Sequence, residues 1–253
     1  MSPRFRGRPE LDGHACQAGC VACVDACPTG ALSLDGRLRL DLGSCLFCTD
    51  CERACPAGAI RFTQDYRLAV SDRAALGLGQ DQKEIALASA LGRKLKSLLG
   101  RSLKLRQVSA GGCGACEADV NVLNTLAWDL GRFGIQFVAS PRHADGLLIT
   151  GPLTKNMELA LRKTYEALSE PKIVIVVGSC AIAGGPYIGH GEVLGGASSL
   201  PLDATPGSDP ALLHVDLFVP GCPPHPLTIL DGLLRLIGRI DIGKTPSALE
   251  ERK

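Results

Sequence analysis

Cysteine is the residue type of this chain whose number and spacing could do chemistry. Of 253 residues, 12 are cysteine, and they fall into two close runs and a dispersed remainder. The run CQAGCVACVDACP holds Cys16, Cys20, Cys23 and Cys27, the run CLFCTDCERACP holds Cys45, Cys48, Cys51 and Cys55, and the remainder is Cys113, Cys116, Cys180 and Cys222. Cysteines in such numbers act as metal ligands in a reducing compartment and form disulfides in an oxidising one.

The rest of the sequence indicates the compartment. The start, MSPRFRGRPELDGHAC, has arginines but neither the apolar segment of a secretory signal nor an adjacent arginine pair. No apolar run reaches the roughly 18 residues needed to cross a bilayer. We therefore expect a cytoplasmic protein without a membrane span, whose reduced cysteines bind metal. A formal net charge of +1 and an aromatic content of 4% give no reason to expect nucleic acid as a partner.

The second cysteine run has the spacing C-x2-C-x2-C-x3-C-P, which is typical of bacterial ferredoxins that hold two [4Fe–4S] clusters. The first run repeats it, because Cys20, Cys23 and Cys27 recur 28 positions later as Cys48, Cys51 and Cys55. It departs only in opening with C-x3-C, so its first loop must bulge by one residue. In ferredoxins the fourth cysteine of each run ligates the other cluster. We therefore predict one cluster on Cys16, Cys20, Cys23 and Cys55, and a second on Cys27, Cys45, Cys48 and Cys51.

The four dispersed cysteines are the number that a third [4Fe–4S] cluster requires. Cys180 and Cys222 follow the apolar runs KIVIVV and HVDLFV, which predict buried parallel strands. Open α/β sheets place their sites at the carboxyl ends of such strands. A structural zinc site with four thiolate ligands is the alternative for these residues. Zinc at all the cysteines would make the chain a zinc-stabilised binding module without a redox role.

The pattern along the chain predicts three regions. Residues 1–70 form the ferredoxin-like unit, and residues 71–102 form a helical connector in which Leu87, Leu91, Leu95 and Leu98 share one face. From residue 103 to 253, apolar strand patterns alternate with helix patterns, which indicates a parallel α/β sheet. The glycine- and proline-rich segment 189–213 is expected to be an interface loop.

Four segments of the third region resemble a known family: AGGCGACEADV, SPRHADGLLITGPLT, PKIVIVVGSCAIAGG and VPGCPPHP. Together they resemble the small subunit of membrane-linked [NiFe] hydrogenases of the formate hydrogenlyase type, which is related to the 20 kDa subunit of respiratory complex I. The resemblance covers about residues 100–240. It implies a flavodoxin-like domain behind the small α+β ferredoxin domain, with a [4Fe–4S] cluster on Cys113, Cys116, Cys180 and Cys222 close to the active site of a large subunit.

The resemblance also implies partners and a role. The chain would join a hydrogenase-type large subunit, with further electron-transfer and membrane subunits, at the cytoplasmic face of the inner membrane. Two residues separate Cys113 from Cys116, as in the hydrogenase branch, whereas complex I relatives generally have adjacent cysteines there. An equivalent subunit of a quinone-linked complex I-like or hydrogenase-related oxidoreductase is the alternative. All twelve cysteines are assigned to clusters, so we expect an electron carrier without catalytic residues of its own.

Three further residues lie close to these motifs and have alternative roles. Glu117 follows Cys116 at a predicted helix start, where it would complement the helix dipole, relay protons or contact the large subunit. His225 would donate a hydrogen bond to cluster sulfur or lie at the surface, and complex I relatives commonly have arginine at its position. His190 would face the large subunit or be a solvated loop residue.

Overall fold

The computed structural model describes residues 2, 4–82, 84–91, 102–202 and 211–240. The first unit, which extends to residue 70, contains a short helix followed by a strand twice. Helix α1 (Ala22–Asp25) is followed by strand β2 (Leu32–Leu34), and 28 positions later α2 (Asp50–Ala54) is followed by β4 (Ile60–Phe62). Strand β1 (Pro9–Leu11) pairs antiparallel with β4, and β3 (Leu38–Asp41) pairs antiparallel with β2. The predicted small α+β ferredoxin unit is confirmed, and its repeat is structural as well as sequential.

The cysteine loops before α1 and α2 each contain one residue with a left-handed backbone conformation, at the equivalent position. Gly19 has a φ of +76° and Phe47 has a φ of +54°, and the two residues occupy equivalent positions of the repeat. Glycine adopts this conformation freely, whereas Phe47 is an uncommon non-glycine case whose side chain is buried. Because the left-handed turn is shared, the additional residue of the first loop lies between Cys16 and Gly19.

The connector differs from its prediction in the part that the structure describes. Residues 71–82 and 84–91 contain no α-helix; instead a 3-10 turn precedes strand β5 (Gly77–Gly79), which pairs antiparallel with β3. Leu87 and Leu91 lie in an irregular segment that is bonded to the second unit, because the Leu91 N–H donates to the Leu236 carbonyl at 2.9 Å. Leu95 and Leu98 lie outside the described residues.

The second unit is a five-stranded parallel sheet. Its strands are β6 (Leu103–Ser109), β7 (Ile135–Phe137), β8 (Gly146–Thr150), β10 (Ile173–Val177) and β12 (Leu217–Val219), while β9 (Leu153–Thr154) and β11 (Val193–Gly195) form a separate antiparallel pair. The spatial order is β12-β10-β8-β6-β7, which is the 2-1-3-4-5 order of flavodoxin-like folds, and every pairing is parallel. Strands β8 and β10 are buried along their whole length, as their continuous apolar sequences predict. The expected flavodoxin-like α/β domain is confirmed.

Four helices flank this sheet in the described residues: α3 (Ala115–Val122), α4 (Lys155–Glu166), α5 (Ser179–Ala183) and α6 (Pro226–Leu236). The pattern of residues 116–134 predicts one helix, but α3 ends at Val122 and a left-handed residue, Asp129 with a φ of +44°, interrupts the segment. Within α6 every residue except Leu227 is buried. Among the residues described, none of the helices has both the length and the apolar character needed to cross a membrane.

The segment 68–70 joins the two units. Val70 and Phe218 exchange backbone hydrogen bonds of 3.0 and 2.9 Å, so this segment covers the outer edge of β12. The Ala69 side chain lies against Gly232 of α6, where a Cβ would approach Ala69 Cβ to 2.7 Å. One apolar cluster continues from Leu40 of the first unit to Val176 and Ile182 of the second. The two units therefore share a core.

Replacing Gly232 by valine tests this junction. The new side chain would overlap buried Ala69, and overpacking of this kind costs about 1–3 kcal/mol. We expect the midpoint of thermal unfolding to fall by about 2–4 °C for each kcal/mol lost, as measured by circular dichroism. The control is Gly131→Ala at an exposed position, where a Cβ would have its nearest neighbour at 3.9 Å. Equal midpoints for both variants would contradict a close contact at Gly232.

Candidate metal centres

The first cysteine set lines a cavity within the ferredoxin unit. Its walls include four thiols, which are those of Cys16, Cys20, Cys23 and Cys55, and apolar residues such as Leu38 and Ile60. Cys23 comes from α1 and Cys55 from the end of α2, so the fourth cysteine of the second run lies with three cysteines of the first. Burial, followed by the negative charges of Cys55 and Cys16, raises the pKa of Cys23. The cavity brings together the residues predicted for the first cluster.

The second set lies in a more enclosed environment. Burial, with smaller contributions from the charges of Cys51, Cys27 and Cys48, raises the pKa of Cys45 to about 12. Burial likewise raises the pKa of Cys51 to about 11, with Cys48, Cys27 and Cys23 as the charged neighbours. The four residues predicted for the second cluster are therefore neighbours, and Cys23 of the first set lies within electrostatic reach of them.

Backbone N–H groups donate to the sulfur atoms of both sets. Ala31 donates to Cys27 Sγ at 3.2 Å, and Ala59, which is 28 positions later, donates to Cys55 Sγ at the same distance. Phe47 donates to Cys45 Sγ at 3.3 Å from its left-handed conformation. Hydrogen bonds of this kind stabilise the thiolate form and raise the reduction potential of a cluster bound there.

The third set assembles at the carboxyl edge of the parallel sheet. Cys113 and Cys116 follow β6, Cys180 lies in α5 directly after β10, and Cys222 follows β12. Burial raises the pKa of Cys180 to about 11, with smaller contributions from the negative charges of Cys222 and Cys113. The pKa of Cys116 is also raised, first by burial and then by Cys180. Cys113 and Cys222 are exposed, so this set lies at the surface of the described structure.

Glycines leave the space that these thiols need. A Cβ on Gly178 would lie 2.5 Å from Cys116 Sγ, and a Cβ on Gly185 would lie 2.7 Å from Cys180 Sγ. Both glycines have positive φ angles, +94° for Gly178 and +57° for Gly185. Side chains at these two positions would therefore displace the sulfur atoms.

The donor chemistry of all three sets fits [4Fe–4S] clusters, each of which takes four thiolates. In the part of the chain that the structure describes, no group of three or more His, Cys, Asp or Glu residues is arranged to hold one metal ion. A four-iron cluster is a larger group than one ion, and the cavity of the first set has the ligands for it. The four thiols of this cavity therefore fit the four-iron cluster predicted for them.

Glu117 is anchored to the sheet. The Thr150 hydroxyl, which is fully buried at the end of β8, donates to Glu117 Oε1 at 2.6 Å. Burial raises the pKa of Glu117, but hydrogen bonds from Ser109 and Thr150 outweigh it and hold the pKa below its usual value. The carboxylate is therefore ionised beside the third set. No sequence pattern marks its partner Thr150, which is the last residue of an apolar strand.

His225 and His190 have different surroundings. His225 precedes α6, and its Nδ1 accepts the Leu227 N–H at 3.1 Å, so the imidazole caps the helix. Its ring lies edge-on to Phe5 at 5.3 Å and to Trp128 at 6.1 Å. His190 is exposed, and its Nδ1 accepts the Glu192 N–H at 3.2 Å. These contacts give both residues local structural roles.

Arg6 is a further residue that the sequence did not indicate. Its guanidinium group donates to the Phe47 and Cys48 carbonyls, both at 3.4 Å, which places a positive charge beside the second set. Its position 41 residues before Phe47 gives no local pattern from which the contact could be predicted.

Comparison with known proteins finds a matching family for each of the two units. The family model for the NADH ubiquinone oxidoreductase 20 kDa subunit matches residues 113–236, and the model for a 4Fe-4S dicluster domain matches residues 15–59. The "probable membrane-bound hydrogenase subunit mbhJ" of Pyrococcus furiosus is 35% identical over 147 residues, which are 58% of this chain and 81% of the relative. An NADH-quinone oxidoreductase subunit of Carboxydothermus hydrogenoformans is 38% identical over 130 residues, which are 51% of this chain and 71% of the relative.

The capping role of His225 predicts the effect of its removal. His225→Ala should lose the acceptor at the start of α6 and the ring contacts, which together stabilise by about 1–2 kcal/mol. His225→Asn keeps a side-chain acceptor and should recover about half of the loss, whereas His190→Ala should stay within about 0.5 kcal/mol. Thermal unfolding followed by circular dichroism measures all three variants. An unchanged midpoint in His225→Ala would exclude the capping role.

Proposed function

Because the chain belongs to the family of the NADH ubiquinone oxidoreductase 20 kDa subunit and carries a 4Fe-4S dicluster domain ahead of it, we propose that it is an electron-transfer subunit with three [4Fe–4S] clusters. It links an electron donor or acceptor to the catalytic large subunit of a [NiFe] hydrogenase complex. The observation that carries the proposal is the grouping of all twelve cysteines into three sets of four.

The proposed ligands are the residues of those sets. The first cluster takes Cys16, Cys20, Cys23 and Cys55, the second takes Cys27, Cys45, Cys48 and Cys51, and the third takes Cys113, Cys116, Cys180 and Cys222. When bound, such clusters carry single electrons. The chain itself excludes water from Cys45 and Cys51, donates N–H groups to sulfur and holds Arg6 beside the second set. It thereby fixes the positions and the potentials of the clusters.

The partner is proposed to be a hydrogenase-type large subunit. The names of the two relatives do not separate the branches, since one is a hydrogenase subunit and the other is a subunit of NADH-quinone oxidoreductase. The spacing C-x2-C at Cys113 and Cys116 favours the hydrogenase branch. The exposure of Cys113 and Cys222 supports the approach of a large subunit to the third set.

The same proposal covers the cellular location of the chain and its neighbouring subunits. The first relative is named a probable membrane-bound hydrogenase subunit, and the second is named a subunit of NADH-quinone oxidoreductase. We place this chain on the cytoplasmic face of the inner membrane, with further electron-transfer and membrane subunits.

Metal analysis of anaerobically purified protein tests the cofactor assignment. Three clusters predict about twelve irons and twelve sulfides per chain. A brown protein with this content is expected, whereas colourless protein containing zinc would overturn the proposal.

Replacing Cys180 by alanine tests the path to the large subunit. We expect about four irons fewer per chain, unchanged ferredoxin-type signals in electron paramagnetic resonance (EPR), and loss of electron delivery in the assembled complex. The measurements are iron content, EPR spectra and activity of the complex. Full activity with the third signal missing would contradict the proposed path.

Gly178→Ala changes the same set without removing a ligand. The added Cβ would lie 2.5 Å from Cys116 Sγ, so the sulfur must move and the third set should lose most of its iron. Gly191→Ala is the control, because a Cβ there has no neighbour within 4 Å among the described residues. Equal iron contents in the two variants would show that the site tolerates this displacement.

A further inference from the structure

Ser179 connects the second and third cysteine sets. It lies directly before Cys180 and its side chain is buried, with 1% exposure. Its hydroxyl oxygen lies 2.5 Å from the Cys45 carbonyl oxygen and 3.1 Å from the Gly221 carbonyl oxygen. Cys45 belongs to the second set, and Gly221 precedes Cys222 of the third. A single side chain therefore contacts the ligand loops of two different sets.

The direction of the hydrogen bond follows from the donors available. The Gly221 carbonyl already accepts the Ser179 backbone N–H at 2.9 Å. The Ser179 hydroxyl has one hydrogen, and the nearer acceptor for it is the Cys45 carbonyl, at 2.5 Å against 3.1 Å for Gly221. When the donor of a hydrogen bond between buried groups is removed, the acceptor is left without a partner and the folded state loses stability. The bond spans 134 positions of the chain and crosses from one unit to the other.

Other contacts place the same two loops together. A cavity at this junction is lined by Leu46 and Phe47 from the second set's loop and by Cys222 and His225 from the third set's loop. A Cβ on Gly43 would lie 2.8 Å from Ile182 Cγ2, so the chain before Cys45 packs closely on α5. The cavity of the first set, by contrast, is lined only by residues 16–60.

We infer that Ser179 is a positioning residue that holds the Cys45–Cys48 loop against the third set. The second set is then the neighbour of the third, and the first set lies at the far end of the ferredoxin unit. The inference rests on the proposed function. It assigns the contact between the second and third cysteine sets to one loop and one hydroxyl.

The test compares two serine variants of the full chain, purified anaerobically. Ser179→Ala removes the bridging hydroxyl. Ser44→Ala is the matched control, because Ser44 also directly precedes a cysteine but donates within its own unit, to Asp41 Oδ2 at 2.6 Å. In Ser179→Ala, amide hydrogen exchange should quicken by about 2–10-fold in peptides covering 43–49 and 177–183, the range expected for one hydrogen bond. In Ser44→Ala the second peptide should keep its rate.

EPR of the dithionite-reduced proteins gives the second readout. In unaltered protein we expect spin–spin broadening between the second and third centres, absent in Cys180→Ala and weakened in Ser179→Ala at unchanged iron content. Unchanged exchange and unchanged broadening in Ser179→Ala would overturn the inference. If Ser179→Ala does not fold, unaltered protein still provides the test, because absence of the broadening there would overturn the inference. Zinc in place of iron would instead overturn the proposed function.

Discussion

Four thiols that repel one another once ionised must be held close together, and both units are shaped by this constraint. Burial raises the pKa of Cys45 to about 12 and of Cys180 to about 11, so without a cation these side chains stay protonated. Each set is closed by a residue from a distant part of the chain. Cys55 completes the set of Cys16, and Cys222 completes the set of Cys113. The fold therefore has to bring remote loops together before any cluster can be held.

The two units meet the constraint by different means. The ferredoxin unit has little regular structure, and short loops with left-handed residues, Gly19 and Phe47, turn the cysteines toward a shared space. The second unit uses a buried parallel sheet, whose strands β6, β10 and β12 all end at one edge. There the space comes from glycines, since Gly178 admits the sulfur of Cys116. The shared core along Val70 and Phe218 then fixes one unit against the other.

Much of this arrangement could be predicted from the sequence, because it depends on local patterns. The repeat of 28 positions gives the ferredoxin unit, and continuous apolar runs give β8 and β10. Strand β5 could not be predicted, since Gly-Leu-Gly lacks strand propensity and pairs only because β3 has a free edge. The interruption at Asp129 depends on one backbone angle. The bond from Ser179 to Cys45 joins residues with no shared pattern, so only the assembled structure contains it.

The exchange of fourth cysteines between the two runs has a consequence for how the ferredoxin unit can be divided. One 28-position repeat by itself would bring three thiols of one set and the fourth thiol of another, so it could complete neither set alone. Two such repeats could complete both sets only by facing each other, each supplying the residue that the other lacks. The unit is therefore arranged, within one chain, like a twofold-symmetric dimer in which each half supplies a residue to the other. Neither half can therefore assemble a complete set of four thiols without the other.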